Sequence, residues 1–349
     1  MVHRDRWLGW RQIQVFLLLA GLSACKTSNQ PTDVSADKFF GNDHRPCTME
    51  KIGEMPLREE NRHFYIAGTI HGQPITLLFD TGAWETILSL ATVRRLNLTA
   101  EPGRTGEIVG IGGKTAVSVY RVKFILNGAR DWERYVLAGD YGLKGSHALE
   151  DGLIGPSFFG GFDIDLDVPG HRINLYFPEH NCSSPSAYMH GPLFQVPIAH
   201  PEIPAAITAS PGKQRIAAFI STLIDASPRV LVSVGGKELV AGIDSGAPDN
   251  ILFVSGAQKI GITPQEIAAS KPTLAFGTGP DAMPAVNYTI SSADVGPLEI
   301  MQLPVTIVDQ NLPSGLDMIL GTDFLHRVHV WISGSSDSLI MQYPPTPSP

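Results

Sequence analysis

Phe79-Asp80-Thr81-Gly82-Ala83 and Ile243-Asp244-Ser245-Gly246-Ala247 are nearly the same motif, and each copy follows an apolar run. One such motif alone says little. Asp, Thr and Gly are ordinary turn residues, so a β-turn that closes a strand would explain either copy. The motif becomes informative because it occurs twice.

The similarity between the two halves extends well beyond the motif. A shift of 164 residues (244 − 80) lays Tyr65–Glu101 on Arg229–Gln265 without a gap. The identical pairs include Gly72 with Gly236, Ile87 with Ile251, Leu88 with Leu252 and Thr99 with Thr263. A match at one fixed spacing indicates two copies of one structural unit.

Each copy supplies one Asp on a turn, and a pseudo-two-fold axis between the copies can bring Asp80 and Asp244 together. Two carboxylates at roughly 3 Å share one proton, because both cannot ionise at that distance. One group then acts as general base and the other as general acid, so the pair can activate a water molecule. This chemistry needs no metal and no cofactor, and no group of Cys and His has the spacing of zinc ligands.

These residues resemble the retropepsin-like branch of the aspartic proteases, in a tandem form with both lobes on one chain. Further matching elements are Thr86-Ile87-Leu88 and Asn250-Ile251-Leu252 after the motifs, and Leu153-Ile154-Gly155 and Ile319-Leu320-Gly321 later in each copy. The Asp-to-Gly spacing is 75 residues in the first copy (155 − 80) and 77 in the second (321 − 244). The resemblance covers residues 60 to 345 approximately.

The resemblance implies an all-β fold with short helices. It implies two pseudo-symmetric acid-protease-like lobes of the closed β-barrel type, with a cleft between them. Asp80 and Asp244 would be the catalytic dyad. The residues that would support the two active-site loops are Thr81, Gly82, Ser245 and Gly246. In pepsin-like relatives a Ser or Thr commonly follows the motif, where this chain has Ala83 and Ala247.

The glycine-rich stretch Glu107–Lys114 predicts a hairpin. The resemblance implies that this hairpin is a flap whose backbone groups bind the substrate main chain. A phosphate-binding loop is the alternative, but neither Gly-Lys-Ser/Thr nor a following helix supports it. A poorer glycine loop at 276–280 would be the second flap, so the flaps are expected to be unequal. The implied flap residues are Ile111, Gly112, Gly113, Gly277, Thr278 and Gly279.

Residues 1–24 are predicted to be a lipoprotein signal peptide. Arginines precede an apolar run that is too short to span a bilayer, and Leu22-Ser23-Ala24-Cys25 resembles the bacterial lipoprotein signal, in which the Cys is acylated. An ordinary secretory signal is the alternative. Lys26 stands where an Asp would favour inner-membrane retention, so we expect an outer-membrane anchor facing the periplasm.

Residues 25–50 are expected to be a tether, followed by lobes at 51–185 and 186–345. Two further cysteines, Cys47 and Cys182, are expected to form a disulfide, which a periplasmic compartment permits. The formal net charge of −8 and the absence of a Lys/Arg cluster argue against nucleic-acid binding. Because each half carries one Asp, we expect a monomeric pseudo-dimer.

The sequence therefore predicts a lipid-anchored aspartic endopeptidase that hydrolyses extended polypeptide segments. The rival is a catalytically silent peptide-binding envelope lipoprotein of the same fold, since fold does not fix function; an envelope scaffold is a third possibility. Glu85 and Asp249 follow the motifs at positions that line the cleft of the retroviral enzymes. They would favour basic or polar substrate side chains there, unless both are simply solvated acids.

Overall fold

The computed structural model describes residues 49–83, 85–126, 131–140, 151–159, 162–177, 189, 193–197, 228–310, 315–333 and 338–342. The chain divides into residues 1–41 and 42–349, and all described residues lie in the second unit. The expected signal peptide, Cys25, Cys47 and Cys182 lie outside the described residues. No described helix is both long and apolar enough to cross a membrane.

The first half of the chain is mainly strands. Its elements are β1 (Glu50–Pro56), β2 (Arg58–Glu60), β3 (His63–Ile70), β4 (Gln73–Phe79), β5 (Ile87–Ser89), α1 (Leu90–Arg95), β6 (Ala100–Gly110), β7 (Gly113–Leu126), β8 (Asp131–Gly139), β9 (Gly152–Ile154), a 3-10 helix (Pro156–Phe159), β10 (Asp163–Asp167) and β11 (Arg172–Phe177).

Among the described residues, the second half repeats the order of the barrel strands and has one additional helix after its first. Its elements are β12 (Leu193–Pro197), β13 (Arg229–Val234), β14 (Lys237–Ile243), β15 (Ile251–Phe253), α2 (Val254–Ile260), α3 (Pro264–Ala269), β16 (Lys271–Ala275), β17 (Met283–Val295), β18 (Leu298–Val308), β19 (Met318–Leu320), α4 (Thr322–Leu325), β20 (His329–Ser333) and β21 (Ser338–Gln342).

Six strands in each lobe close into a barrel. The order β3-β4-β9-β5-β8-β7 returns to β3 through pairing of β7 with β3. The order β13-β14-β19-β15-β18-β17 returns to β13 in the same way. Because the corresponding strands follow one another in the same order, the all-β prediction of two pseudo-symmetric lobes is confirmed.

The strand that leads to each Asp motif is buried in the same pattern in both lobes. In β4 and in β14 the first two residues are exposed and the last three are buried. Each strand lies between two others in its barrel, with a parallel partner, β9 or β19, on one side. A strand end covered on both faces requires a continuous apolar run, as in Leu77-Leu78-Phe79.

A six-stranded sheet joins the lobes in the order β1-β11-β10-β20-β21-β12. Its central pair, β10 with β20, is antiparallel and takes one strand from each lobe. Buried carboxylates of β10 are hydrogen-bonded across this pair: Trp331 Nε1 donates to Asp163 Oδ2 at 2.9 Å, and His329 Nε2 contacts Asp165 Oδ1. Burial lowers the pKa of His329, but the hydrogen bond and charge of Asp165 outweigh it and raise the pKa overall.

The ends of β1 and β11 lie close in sequence to the two cysteines of the expected Cys47–Cys182 disulfide. The last register pair of β1 and β11 is Glu50 with Phe177, so the two cysteines are three and five residues along the chain from paired positions (50 − 47 and 182 − 177). A disulfide here would close a loop of 135 residues (182 − 47). Such a loop is expected to stabilise the fold by about 2–5 kcal/mol.

We therefore expect Cys47 and Cys182 to resist alkylation in protein that is produced in the periplasm, denatured and left unreduced. Peptide mass spectrometry checks this, with a reduced sample as the control. The Cys47→Ser, Cys182→Ser double variant should unfold at lower denaturant concentration. Two alkylated cysteines in the unreduced sample would contradict the disulfide.

Candidate active site

The two Asp motifs begin at equivalent points of the two barrels. The backbone N–H of Asp80 donates to the carbonyl oxygen of Ile154 in β9 at 3.0 Å, and the N–H of Asp244 donates to that of Leu320 in β19 at 2.9 Å. The apolar pair of the later motif thus holds the first residue of the Asp turn. This explains why both elements recur together in each half of the sequence.

The two carboxyl groups meet between the lobes, where each lies against the glycine of the opposite loop. Oδ1 of Asp80 accepts from the N–H groups of Gly82 and Ala83, at 3.0 and 2.8 Å. Oδ1 of Asp244 accepts from those of Gly246 and Ala247, at 2.8 and 3.2 Å. Asp80 is only 7% exposed. The structure therefore brings the predicted dyad together in nearly symmetric surroundings.

Gly82 and Gly246 are required by close approach across the axis. A Cβ atom on Gly82 would lie 2.2 Å from Cγ of Asp244, and one on Gly246 would lie 2.5 Å from Cγ of Asp80. Non-bonded carbon atoms make favourable contact only at about 3.5–4.0 Å. Any side chain at either position would therefore force the two carboxyl groups apart.

Thr81 and Ser245 join the two loops by four reciprocal hydrogen bonds. The N–H of Thr81 donates to Ser245 Oγ at 3.0 Å, and the N–H of Ser245 donates to Thr81 Oγ1 at 2.9 Å. Each hydroxyl then donates to the opposite strand, Thr81 to the carbonyl of Ile243 at 2.8 Å and Ser245 to that of Phe79 at 2.7 Å. Both side chains are fully buried. The carboxyl groups are thus mounted on one cross-linked unit.

Burial raises the pKa of both Asp80 and Asp244 above the usual value for Asp. For Asp80 the negative charge of Asp244 raises the pKa further, while hydrogen bonds from loop N–H groups lower it in part. The two groups titrate as one system, so the shared proton belongs to the pair. The dyad therefore keeps one proton at a pH where an exposed Asp has lost its own.

The predicted flap residues of both lobes lie together. The first flap is the hairpin of β6 and β7, with Ile111 and Gly112 in its turn. The second is the shorter connection between β16 and β17. Gly279 N–H donates to the carbonyl of Ile111 at 2.8 Å, and Thr115 Oγ1 donates to that of Thr278 at 3.1 Å. The remaining positions fit closely: a Cβ atom on Gly277 would lie 2.7 Å from Cβ of Ile111, and one on Gly113 would lie 3.8 Å from Cδ of Pro280.

Two small apolar clusters, one in each lobe, include the Ala that follows the Asp motif. In one cluster Ala83 packs with Tyr65, Leu78, Ile87, Ile108, Val117, Leu137 and Leu153. In the other Ala247 packs with Ile111, Ile251, Phe253, Ala275, Met283, Ala285, Val308, Leu316 and Ile319. Ile108 and Ile111 come from the first flap, so the flap packs against both clusters beside the dyad.

Asp249, which was expected to line the cleft, is paired with an arginine. Arg62 Nη1 lies 2.7 Å from Asp249 Oδ1 and 3.3 Å from Asp323 Oδ1. Arg62 is in the tight turn between β2 and β3, where its φ of 62° is unusual for a residue other than glycine. Arg62 of the first lobe therefore pairs with Asp249, whose charge was expected to select substrate side chains. Glu85, its counterpart, is half-buried.

The family model described as aspartyl protease matches the chain twice, over residues 66–158 and 230–324, which together exceed half of its length. The chain belongs to the aspartyl protease family. Each matched range contains one Asp motif and one apolar pair followed by Gly, which confirms the predicted tandem two-lobe form. A search of curated proteins found no match.

Three residues near this aspartyl protease site carry no sequence motif: Arg62, His63 and Gln310. The charges of Asp244 and Asp249 raise the pKa of His63, but burial is the larger effect and lowers it overall. Gln310 contacts the turn of the first flap. The described residues hold no group of three or more His, Cys, Asp or Glu side chains that could bind a metal.

Proposed function

We propose that the protein is an aspartic endopeptidase that hydrolyses peptide bonds in extended polypeptide segments. The observation that carries the proposal is the close approach of two carboxyl groups on symmetric loops, with Asp80 buried and Asp244 partly buried. The ionised carboxylate takes a proton from a water molecule whose oxygen attacks the carbonyl carbon. The protonated carboxyl donates its proton to the carbonyl oxygen. The carboxyl that took the water proton then gives it to the amide nitrogen as the C–N bond breaks, while the other carboxylate takes a hydroxyl proton from the tetrahedral intermediate. No covalent enzyme intermediate forms.

The flap and the apolar clusters suit a polypeptide substrate. An extended chain between flap and dyad can pair with flap backbone groups as an added strand. The clusters around Ala83 and Ala247 place apolar surface after the Asp motif of each lobe, so we expect apolar side chains next to the scissile bond. Arg62 offsets the charge of Asp249, which weakens the expected preference for basic side chains on that side.

The rival function, peptide binding without cleavage, uses the same fold but has no need of the dyad. Burial raises the pKa of both carboxyl groups, and the charge of Asp244 raises that of Asp80 further, so ionising the pair costs free energy of folding. A binding module would gain stability by replacing either Asp. The intact pair therefore favours the enzyme.

Cleavage of a mixed peptide library tests the proposal. We expect cuts within peptides, detected by mass spectrometry, that a statine-type transition-state mimic abolishes. An identical peptide lacking the statine hydroxyl serves as the control, because it occupies the cleft without mimicking the transition state. Binding of library peptides with no cleavage at any pH would establish the rival function.

We also propose that Cys25 is acylated and anchors a single-chain enzyme to the outer membrane, facing the periplasm. The polar segment between Cys25 and the first described strand is long enough to act as a tether. Mass spectrometry of the mature amino terminus would show the acyl groups. An unmodified Cys25 would contradict the anchor.

Activity requires one proton on the dyad, so its pH dependence follows the pKa directions above. The raised pKa values extend the singly protonated form toward neutral pH, and Ala83 and Ala247 provide no hydroxyl to lower them. We expect a bell-shaped plot of kcat/KM against pH, centred between mildly acidic and neutral values. Ala83→Ser adds a donor to the ionised carboxylate, which lowers its pKa and should shift the bell to lower pH.

The control for this shift is Ala269→Ser on the exposed end of α3, which should leave the profile unchanged. A profile confined to strong acid would show that the dyad is not protonated as the structure indicates. A profile that Ala83→Ser does not move would show that the residue after the motif has no influence on the dyad.

A further inference from the structure

The turn of the first flap is held by one side chain of the second lobe. Gln310 Nε2 donates to the carbonyl oxygen of Gly110 at 2.9 Å, and the N–H of Gly112 donates to Gln310 Oε1 at 3.2 Å. A side-chain amide has a donor at one end and an acceptor at the other. Gln310 therefore pairs with the two backbone groups on either side of Ile111 as an adjacent strand would.

Other bonds to the second lobe surround this contact. The N–H of Gly279 donates to the carbonyl of Ile111, and that of Asp281 donates to the carbonyl of Gly112 at 3.2 Å. Every residue from Gly112 back to Gly110 thus contacts the opposite lobe. Among the described residues, Gln310 bonds to both a carbonyl and an N–H group of this tip through its side chain.

The flap is least packed at its base. Residues 102–107 of β6 are exposed, and the register of β6 with β7 shifts between Ala100 and Thr105. From Thr105 to the turn the ladder is regular, and Ile108 is buried. An exposed and irregular base lets the outer hairpin open as one piece, so its closed position depends on the bonds between the turn and the second lobe.

We propose that Gln310 is a positioning residue that latches the first flap closed over the dyad. This inference rests on the proposed function, because the flap is taken as the cover of a substrate cleft. Gln310 touches the flap turn and not the carboxyl groups, so it acts on the opening of the flap and not on the proton transfers. A polypeptide must pass the open flap on both entry and departure. The latch consequently slows association and dissociation together.

Gln310→Met tests the latch, because Met keeps the length of the side chain but neither donates nor accepts as an amide does. We expect the amides of the flap turn, followed by hydrogen exchange, to exchange about tenfold faster, which corresponds to about 1.4 kcal/mol. Association and dissociation rates of a statine-type inhibitor should both rise, with little change in Kd. Gln310→Ala should behave like Gln310→Met, and Gln265→Ala on the exposed face of α3 is the control.

Hydrogen exchange does not depend on catalysis, so it separates this inference from the proposed function. Faster exchange confined to the flap in a protein that cleaves no peptide would support the latch and refute the endopeptidase. Unchanged flap exchange in both Gln310 variants would overturn the latch even if the protein is an active endopeptidase. Faster exchange spread evenly through the second lobe would also overturn it, because that result indicates a merely structural role.

Discussion

Replacing either Asp80 or Asp244 with Asn is expected to abolish peptide hydrolysis while the protein stays folded. Asn has the shape of Asp, and its Oδ1 can still accept from the two N–H groups of its own loop. It cannot take a proton from water, so general acid–base catalysis is lost. We expect kcat/KM to fall by at least about 10³-fold, measured with a fluorogenic peptide.

The same two variants are also expected to differ from the wild type in stability, by an amount that depends on pH. The folded-state pKa values of the dyad are raised, so its stabilising contribution is fully present below the ordinary Asp pKa and is lost as pH rises through the folded value. At neutral pH each Asn variant should therefore be at least as stable as the wild type. The difference should disappear below about pH 3.9, where an unfolded Asp is also protonated.

Mixing the two inactive variants should not restore activity, because one chain supplies both Asp residues of each site. The mixture should be tested both as folded proteins and after refolding together from denaturant. Activity that returns in either mixture would mean that the site forms between chains. Wild-type activity in either single variant would mean that the dyad is not the catalytic centre.

The sequence contains enough information to predict both barrels and the dyad, because the repeat fixes them twice. β4 and β14 end in the same buried apolar run before the Asp motif, so the assignment of each copy checks that of the other. Ile154 and Leu320, in the apolar pair that precedes Gly later in each copy, are predictable for the same reason. The carbonyl oxygen of each accepts a hydrogen bond from the first residue of an Asp turn. These elements are predictable because both halves repeat the same physical constraint.

The six-stranded sheet between the lobes was not predicted. Its outer strand β12 lies in the region assigned to the second lobe but before the repeat begins, and β21 lies well after the repeat. Neither belongs to the repeat, and each is only five residues long. The pairing of β12 with β21, and of β21 with β20, is decided by tertiary contact, which a short apolar run does not reveal.

Arg62 and Gln310 escaped prediction for a different reason. Each is a single polar residue in a turn or loop, and each contacts residues nearly two hundred positions away. Polar residues in turns are expected at the surface whatever they do, so no periodicity or spacing marks these two. The partnership of Asp249 with Arg62 could not be read from the motif for the same reason.

Removing one hydroxyl from the reciprocal bonds between the loops is expected to weaken the protein and to inactivate it. Thr81→Val keeps the shape of the side chain but removes the acceptor for Ser245 N–H and the donor to the carbonyl of Ile243. Both groups would then be buried without that partner. Each unsatisfied group costs about 1–3 kcal/mol, so we expect a loss of about 2–5 kcal/mol in the free energy of unfolding.

The loss of activity should exceed the loss of stability under conditions where the variant is still folded. A displacement of about 1 Å between catalytic groups can cost about 10²-fold in rate. We therefore expect kcat/KM to fall by about that factor, chiefly through kcat. Thr81→Ser, which keeps the hydroxyl, should restore most of both quantities, measured by denaturant unfolding and by peptide hydrolysis.

Thr86→Val is the matched control because Thr86 follows the same loop and is also buried, at 2% exposure. Its hydroxyl has no hydrogen-bond partner among the described residues. Replacing an unsatisfied buried hydroxyl with a methyl group is neutral or stabilising. The same chemical change should thus have opposite consequences at positions 81 and 86. Equal effects at the two positions would show that Thr81 contributes only volume, and the dyad would have to be held in place by its glycines and strands alone.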